Sequence, residues 1–192
     1  MCIQTYGDFL ETVPPSQEYL TLHFSPHTTP RKKRWSNYGL SADFLGDYFA
    51  AFFPDDAIPN SKINQRDTVK AAVSYVANEL LENAVKYAED SGLYPITISL
   101  HLYNRQIIFH VTNCTEIALA NSYQQFIQDL LAADLDSYYL QQLEKAASGG
   151  GKSSMGILTM MNDYTARFGW KFATVETAPN LSQVDVLAYL DV

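Results

Sequence analysis

Residues 67–90 read DTVKAAVSYVANELLENAVKYAED, and the fold turns on how this stretch is folded. It begins at Arg66 or Asp67, ends near Ser91-Gly92, and is the clearest helix in the chain. At about 100° per residue, Val69, Val73, Val76, Leu80 and Tyr87 fall within about 40° of one line, so that stripe faces a core. Asn83 lies about 40° from the same line, on the buried side. Glu79 sits one turn earlier at the stripe's edge, and the i, i+4 relation lets both side chains address one point. Glu82 and Lys86 fall further round, toward water. An asparagine aimed at a core needs partners or it costs stability. Two readings are open. Asn83 bonds the backbone of a neighbouring strand, or its amide oxygen faces a metal ion while Glu79 polarises a hydroxyl or water. Both oxygens are hard donors of the kind that suit Mg²⁺, which keeps several waters and phosphate oxygens.

Outward from this helix, the pattern alternates between strands and helices. EYLTLHFSP (18–26) sets Tyr19, Thr21 and His23 against Leu20, Leu22 and Phe24, the period of a strand. NYGLSADFLGDYFAAFF (37–53) has helical spacing and stops at Pro54. YPITISLHLY (94–103) and QIIFHVTN (106–113) form a hairpin across Asn104-Arg105. Residues 117–146 are helical, with Phe126, Leu130, Leu131, Leu135, Leu140 and Leu143 apolar. A glycine loop leads to a helix over about 155–167. GWKFATVET (169–177) and SQVDVLAYL (182–190) close the chain as strands around a Pro179-Asn180 turn. Locally paired strands with helices between the pairs predict an α/β (α+β) sandwich. Its sheet is mixed and mostly antiparallel, with helices on one face. The division expected is an N-terminal strand and helix extension, residues 1–65, packed on a domain of residues 66–192 within one globular unit.

Composition narrows the class. With 47% hydrophobic and 13% aromatic residues, the 192-residue chain can bury a sizeable core. Thirteen basic against 21 acidic side chains give a net charge of −8, which repels a nucleic-acid backbone. The basic run Arg31-Lys32-Lys33-Arg34 is too short to reverse that and reads as a solvated loop. Cys2 and Cys114 make neither a disulfide framework nor a zinc site. No apolar run reaches the roughly 20 residues of a membrane helix, and a cytoplasmic location is expected.

The second informative stretch is LEKAASGGGKSSMGILTMMNDY, residues 143–164. Its GKSS invites comparison with a phosphate-binding loop of the form G-x-x-x-x-G-K-[ST], which leaves a buried strand and enters a helix. Counting back from Gly151-Lys152-Ser153 puts Ala146 where the first glycine belongs, and YYLQQLEKAA before it reads as helix. Spacing and context both fail. What remains is small residues leading into the helix that starts near Met155, whose free N–H groups and positive dipole end suit an anion.

Together the two stretches carry a family resemblance. NELLENAVKYA (78–88) resembles the N-box of the gyrase/histidine-kinase-type (GHKL, Bergerat-fold) ATPases. GGGKSSMGILTMM (149–161) resembles their second glycine box. With glutamate leading the N-box, the chain is similar to anti-sigma-factor serine kinases, and its size and its long helix before the second glycine box resemble SiaB-like bacterial regulatory proteins. The resemblance covers roughly residues 66–191. It implies ATP and Mg²⁺ as cofactors, Glu79 as catalytic base and Asn83 as metal ligand. Lys86 would lie near the phosphates, and Gly150, Gly151, Lys152, Ser153, Ser154 and Gly156 on the loop that holds them. The first glycine box, D-x-G-x-G, is replaced. Asn113 stands at the aspartate that takes the adenine amino group, with Thr115 and Ile117 at the glycines. Asn113 can still accept through its amide oxygen, without the charge.

The function implied is ATP-dependent regulation by partner switching: binding, and phosphorylating on serine or threonine, a STAS-type antagonist or another signalling protein. The alternative is a degenerate interaction module without catalysis or nucleotide. Self-association as a homodimer stays open. No nucleic-acid or membrane partner is expected. Histidine autokinase chemistry is not expected either, because His23, His27, His101 and His110 sit in strand or loop contexts.

Overall fold

The computed structural model describes residues 3–24, 35–55, 64–89, 93–147 and 155–192. The basic run 31–34, Cys2, His27 and the glycine loop 148–154 lie outside them. The elements are β1 (Ile3–Gly7), β2 (Glu18–Phe24), α1 (Trp35–Ala50), α2 (Gln65–Tyr87), β3 (Ile96–Tyr103), β4 (Gln106–Glu116), α3 (Ile117–Ala132), α4 (Leu135–Ala147), α5 (Met155–Asp163), β5 (Arg167–Val175) and β6 (Ala178–Asp191). The six strands form one sheet in the order β1-β5-β6-β4-β3-β2, with every pair antiparallel.

Alternation along the strands decides which face the helices cover. Ile96, Ile98 and Leu100 of β3 point to one side with Ile107, Phe109 and Val111 of β4. Val184, Val186 and Ala188 of β6 and Phe168, Trp170 and Phe172 of β5 join them. Against this face α2 lays Val73, Val76, Leu80 and Leu81, and α1 adds Leu45 and Phe49. The sandwich expected from the sequence is the one that forms, and its sheet is antiparallel throughout.

Helix α2 opens on Asn64, whose side chain accepts a hydrogen bond from the Arg66 N–H at 2.9 Å. It buries more than the stripe read from the sequence: Ala72, Ala77, Ala84 and Val85 are also inside, because α1 packs on one flank and the sheet on the other. It ends at Tyr87, earlier than the periodicity predicts. Ala88 is already extended, and the Glu89 N–H donates to the Cys114 carbonyl at 2.8 Å, tying the helix exit to β4.

The opposite sheet face carries a strap from the N-terminus. Strand β1 pairs with β5 and ends at Gly7, whose φ of 60° and close approach to the Phe168 carbonyl leave no room for a side chain. Across from it, a Cβ on Gly169 would meet the backbone of Asp8 and Phe9 at 2.5 Å. This glycine pair lets the chain turn over the sheet edge. Phe9 and Val13 then cover Ile108, Leu187 and Tyr189, and Tyr189 and Tyr103 donate to the carbonyls of Asp8 and Pro14, both at 2.6 Å.

Other elements differ from the sequence reading, each for a local reason. Strand β1 is short and largely exposed, so it lacks a hydrophobic alternation to announce it. The helical stretch 117–146 is two helices, broken between Ala132 and Leu135. The last helix, α5, predicted to about 167, ends at Asp163: Thr165 takes a φ of 51° and the Ala166 N–H closes on the Met160 carbonyl at 3.0 Å. The last hairpin turns at Glu176-Thr177, not at Pro179-Asn180. Pro179 falls instead in the register shift after Thr174, where no ladder bond is asked of it.

Among the described residues no helix is long and apolar enough to cross a membrane.

Candidate functional site

A cavity of about 310 Å³ opens between α2, α3, the sheet and the start of α5. Its α2 wall is Leu80, Asn83, Ala84 and Tyr87. Its floor is the helix-facing row of β4, namely Val111, Asn113 and Thr115, beside Val184 and Val186 of β6. The register explains the floor, since Val111 pairs with Val186 and Asn113 with Val184. Helix α3 supplies the far wall with Leu119, Ser122, Tyr123 and Phe126, one face at i, i+3, i+4 and i+7. Ile157 of α5 closes the lining.

The α3 wall is anchored to the core. The Trp170 indole N–H donates to the Tyr123 hydroxyl at 3.0 Å. The Tyr123 ring stacks on Phe126 at 6.2 Å and meets Phe172 edge-on at 5.8 Å. Among the described residues no Asp, Glu, Lys, Arg or His lines the cavity.

The site residues named from the sequence fall into three groups. Asn83 and Asn113 come from separate stretches and meet in this one cavity. Asn83 is half-buried and Asn113 is 5% exposed. Among the described residues no hydrogen bond holds either amide; in particular, none runs from Asn83 to a strand backbone. Glu79 and Gly156 form the second group. A Cβ on Gly156 would collide with Oε2 of Glu79, so the carboxylate lies against the first turn of α5. Burial, reinforced by the nearby Glu82 charge, raises the Glu79 pKa above its ordinary value. In the third group, Lys86 does not line the cavity. Lys86 is exposed and lies over the Tyr87 ring at 5.1 Å, and Gly150, Gly151, Lys152, Ser153 and Ser154 are outside the described residues.

Two sequence assignments change here. Strand β4 does not stop at Asn113 but stays in register with β6 through Glu116, so Thr115 is a ladder residue and Ile117 opens α3. β-branched Thr115 favours that extended backbone, where glycines would have freed a loop. Tyr87, read as packing, lines the cavity. Thr115 is the residue whose role the sequence concealed: it is 3% exposed, lines the cavity, and its hydroxyl has no hydrogen-bond partner. The α3 wall was legible as helical periodicity, but not as a wall. Ala146 lies in α4, which confirms that helix rather than strand precedes the glycine loop.

The residues present fit a Mg²⁺ ion bridged to phosphate. Asn83 offers a free amide oxygen, and such an ion needs only one or two protein oxygens. No group of three or more His, Cys, Asp or Glu side chains placed to hold a metal ion exists among the described residues.

A second polar cluster lies on the opposite sheet face. Asp185 accepts from Thr112 at 2.7 Å and from Gln183 at 2.8 Å, and lies 3.0 Å from His110 Nε2. The same His110 nitrogen faces Thr112 at 3.4 Å, so the ring cannot relay a proton between acid and hydroxyl. The cluster is structural. Burial alone would raise the Asp185 carboxyl, but the bonds from His110, Thr112 and Gln183 outweigh it and hold the pKa below the ordinary value. Asp185→Asn is therefore expected to lose about 1–3 kcal/mol of stability at neutral pH. Because the folded pKa is depressed, the loss should shrink as pH falls below the ordinary carboxylate value toward the depressed one. Urea midpoints at pH 7 and pH 3 check this; an equal loss at both would remove the ionised carboxylate from the account.

No protein-family model matches this chain, and no curated protein matches it in sequence. Among solved structures, it is similar to a chain in the crystal structure of the SiaB-SiaC complex from Pseudomonas aeruginosa. The TM-score is 0.59 at 14% identity, covering 89% of this chain and 89% of that one. At that identity the shared property is the fold, which extends over nearly the whole of both chains.

Proposed function

We propose that this chain is an ATP-binding regulatory protein of the anti-sigma-factor serine kinase type within the GHKL superfamily. It binds a signalling partner, of the STAS type or another, and phosphorylates it on serine or threonine. One observation carries the reading: Asn83 and Asn113, thirty residues apart in sequence, converge on one cavity, with Glu79 set against the start of α5. The base would enter the cavity and the phosphates would lie toward the start of α5, where the resemblance assigns Gly150, Gly151, Lys152, Ser153 and Ser154 to holding them. Mg²⁺ neutralises phosphate charge when bound, and Asn83 would hold it. Glu79 takes the proton of the attacking hydroxyl as its oxygen bonds the γ-phosphorus and ADP leaves. Its raised pKa suits that role, since a base works best near the ambient pH. The similarity to a chain of a two-protein complex supports action through a protein partner.

Calorimetric titration of MgATP into wild type and Asn83→Ala tests the reading. Saturable heat is expected with wild type, and affinity about tenfold or more weaker in the variant, the cost of one lost metal ligand. Absence of heat at millimolar nucleotide would favour the second reading, a degenerate interaction module. The unbroken pairing of β4 with β6 through Glu116, where the resemblance places a glycine loop, is the observation on that side.

A further inference from the structure

We infer that the cavity accepts a purine base without selecting between a 6-amino and a 6-oxo edge. This rests on the nucleotide reading above and sharpens which nucleotides it covers. With no charged side chain in the lining among the described residues, the part of a ligand that enters is neutral. Apart from Asn83 and Ser122 the walls are apolar or aromatic and suit the faces of a flat ring, while the buried polar groups of the floor are confined to Asn113 and Thr115. These two stand on the same face of β4, two residues apart.

Both groups are ambivalent. The Thr115 hydroxyl is buried without a partner, so it is free to donate or to accept. The Asn113 amide offers an oxygen on one side and an NH₂ on the other, and no bond among the described residues fixes which points where. A 6-amino purine presents a donor beside an acceptor; a 6-oxo purine presents an acceptor beside a donor. Turning the Asn113 amide and rotating the Thr115 hydroxyl exchanges one pattern for the other. A carboxylate at position 113 would only accept, and would refuse the 6-oxo edge.

The test is displacement of a fluorescent N-methylanthraniloyl ATP, with Mg²⁺, by ATP and by ITP, which differ only at the 6-position and its N1 neighbour. ATP and ITP midpoints within about threefold of each other are expected on wild type, too little for a hydrogen bond lost from one of them. Asn113→Asp should weaken ITP relative to ATP by about tenfold or more. Thr115→Val is a second arm that does not introduce charge. It should raise the thermal midpoint of the free protein by removing an unpaired buried hydroxyl, and weaken both nucleotides alike. ITP tenfold or more weaker than ATP on wild type would overturn the inference, as would Thr115→Val that leaves both affinities unchanged. If the fluorescent ATP itself does not bind, the nucleotide reading fails, and this inference with it.

Discussion

Glu79→Gln is expected to reduce phosphoryl transfer to a partner by about 100-fold or more while MgATP affinity changes little, because a general base acts on the attacking hydroxyl and not on the bound nucleotide. The same variant has a second signature that does not depend on finding the partner. Burial raises the Glu79 pKa in the folded protein above the ordinary value of 4.5. Below the ordinary value, folded and unfolded chains both hold the proton, and the residue adds no pH dependence. Between the ordinary and the raised value, the folded chain keeps a proton that the unfolded chain has lost, so stability falls as pH rises. Above the raised value the cost of ionising a half-buried carboxylate is present in full. Glutamine removes that cost, so Glu79→Gln should melt higher than wild type at pH 7, with the advantage gone at pH 4. A base poised by burial predicts both results together: less transfer and a more stable protein. Transfer retained in Glu79→Gln would remove the residue from the chemistry. A melting advantage that persists unchanged at pH 4 would show that its carboxylate is not the source of the cost.

Much of this arrangement was legible from periodicity because a single helix crosses the sheet with its apolar stripe down. Val73, Val76 and Leu80 had to face a core, and Asn83 on the same side was read as bonding a strand backbone or facing a metal ion; the cavity it lines was not foreseen. The sandwich followed from locally paired strands in the same way. What periodicity could not show was the far wall, since Leu119, Tyr123 and Phe126 have the same spacing whether a helix packs on a sheet or roofs an opening. Thr115 was hidden for a related reason. Its sequence neighbours were compared with a loop, whereas its β-branched side chain and its pairing with Ser182 keep it in a strand. Local propensity there outweighed the analogy. The N-terminal strap was out of reach altogether: β1 gains its order from pairing with β5, more than 160 residues away, and no local pattern encodes that.

Trp170→Ala should produce the largest loss of stability of any single truncation considered for this chain, about 3–5 kcal/mol, or roughly 6–20 °C in a domain of this size. Trp170 is fully buried in β5, stacks on Phe168 at 5.4 Å, and sits beneath the helical layer. Removing the indole leaves a void that rigid strands on both sides cannot collapse to fill, because β5 is paired with β1 and with β6. It also takes the donor from the Tyr123 hydroxyl, which is the polar tie between the sheet and the α3 wall of the cavity. Trp170→Phe separates the two contributions. It keeps most of the apolar volume but not the N–H, so it should lose less stability than Trp170→Ala while still loosening α3. Urea unfolding of the three proteins, with slopes compared, measures the first effect. Hydrogen exchange of the α3 amides measures the second, and faster exchange there in Trp170→Phe is expected even where the global midpoint moves little. A loss below about 1 kcal/mol in Trp170→Ala would contradict a close-packed sheet-to-helix core at this position. Unchanged α3 exchange in Trp170→Phe would mean that the cavity wall is held by its apolar contacts alone, from Ile127, Leu130 and the Tyr123–Phe172 edge, and that the indole bond only satisfies a buried donor.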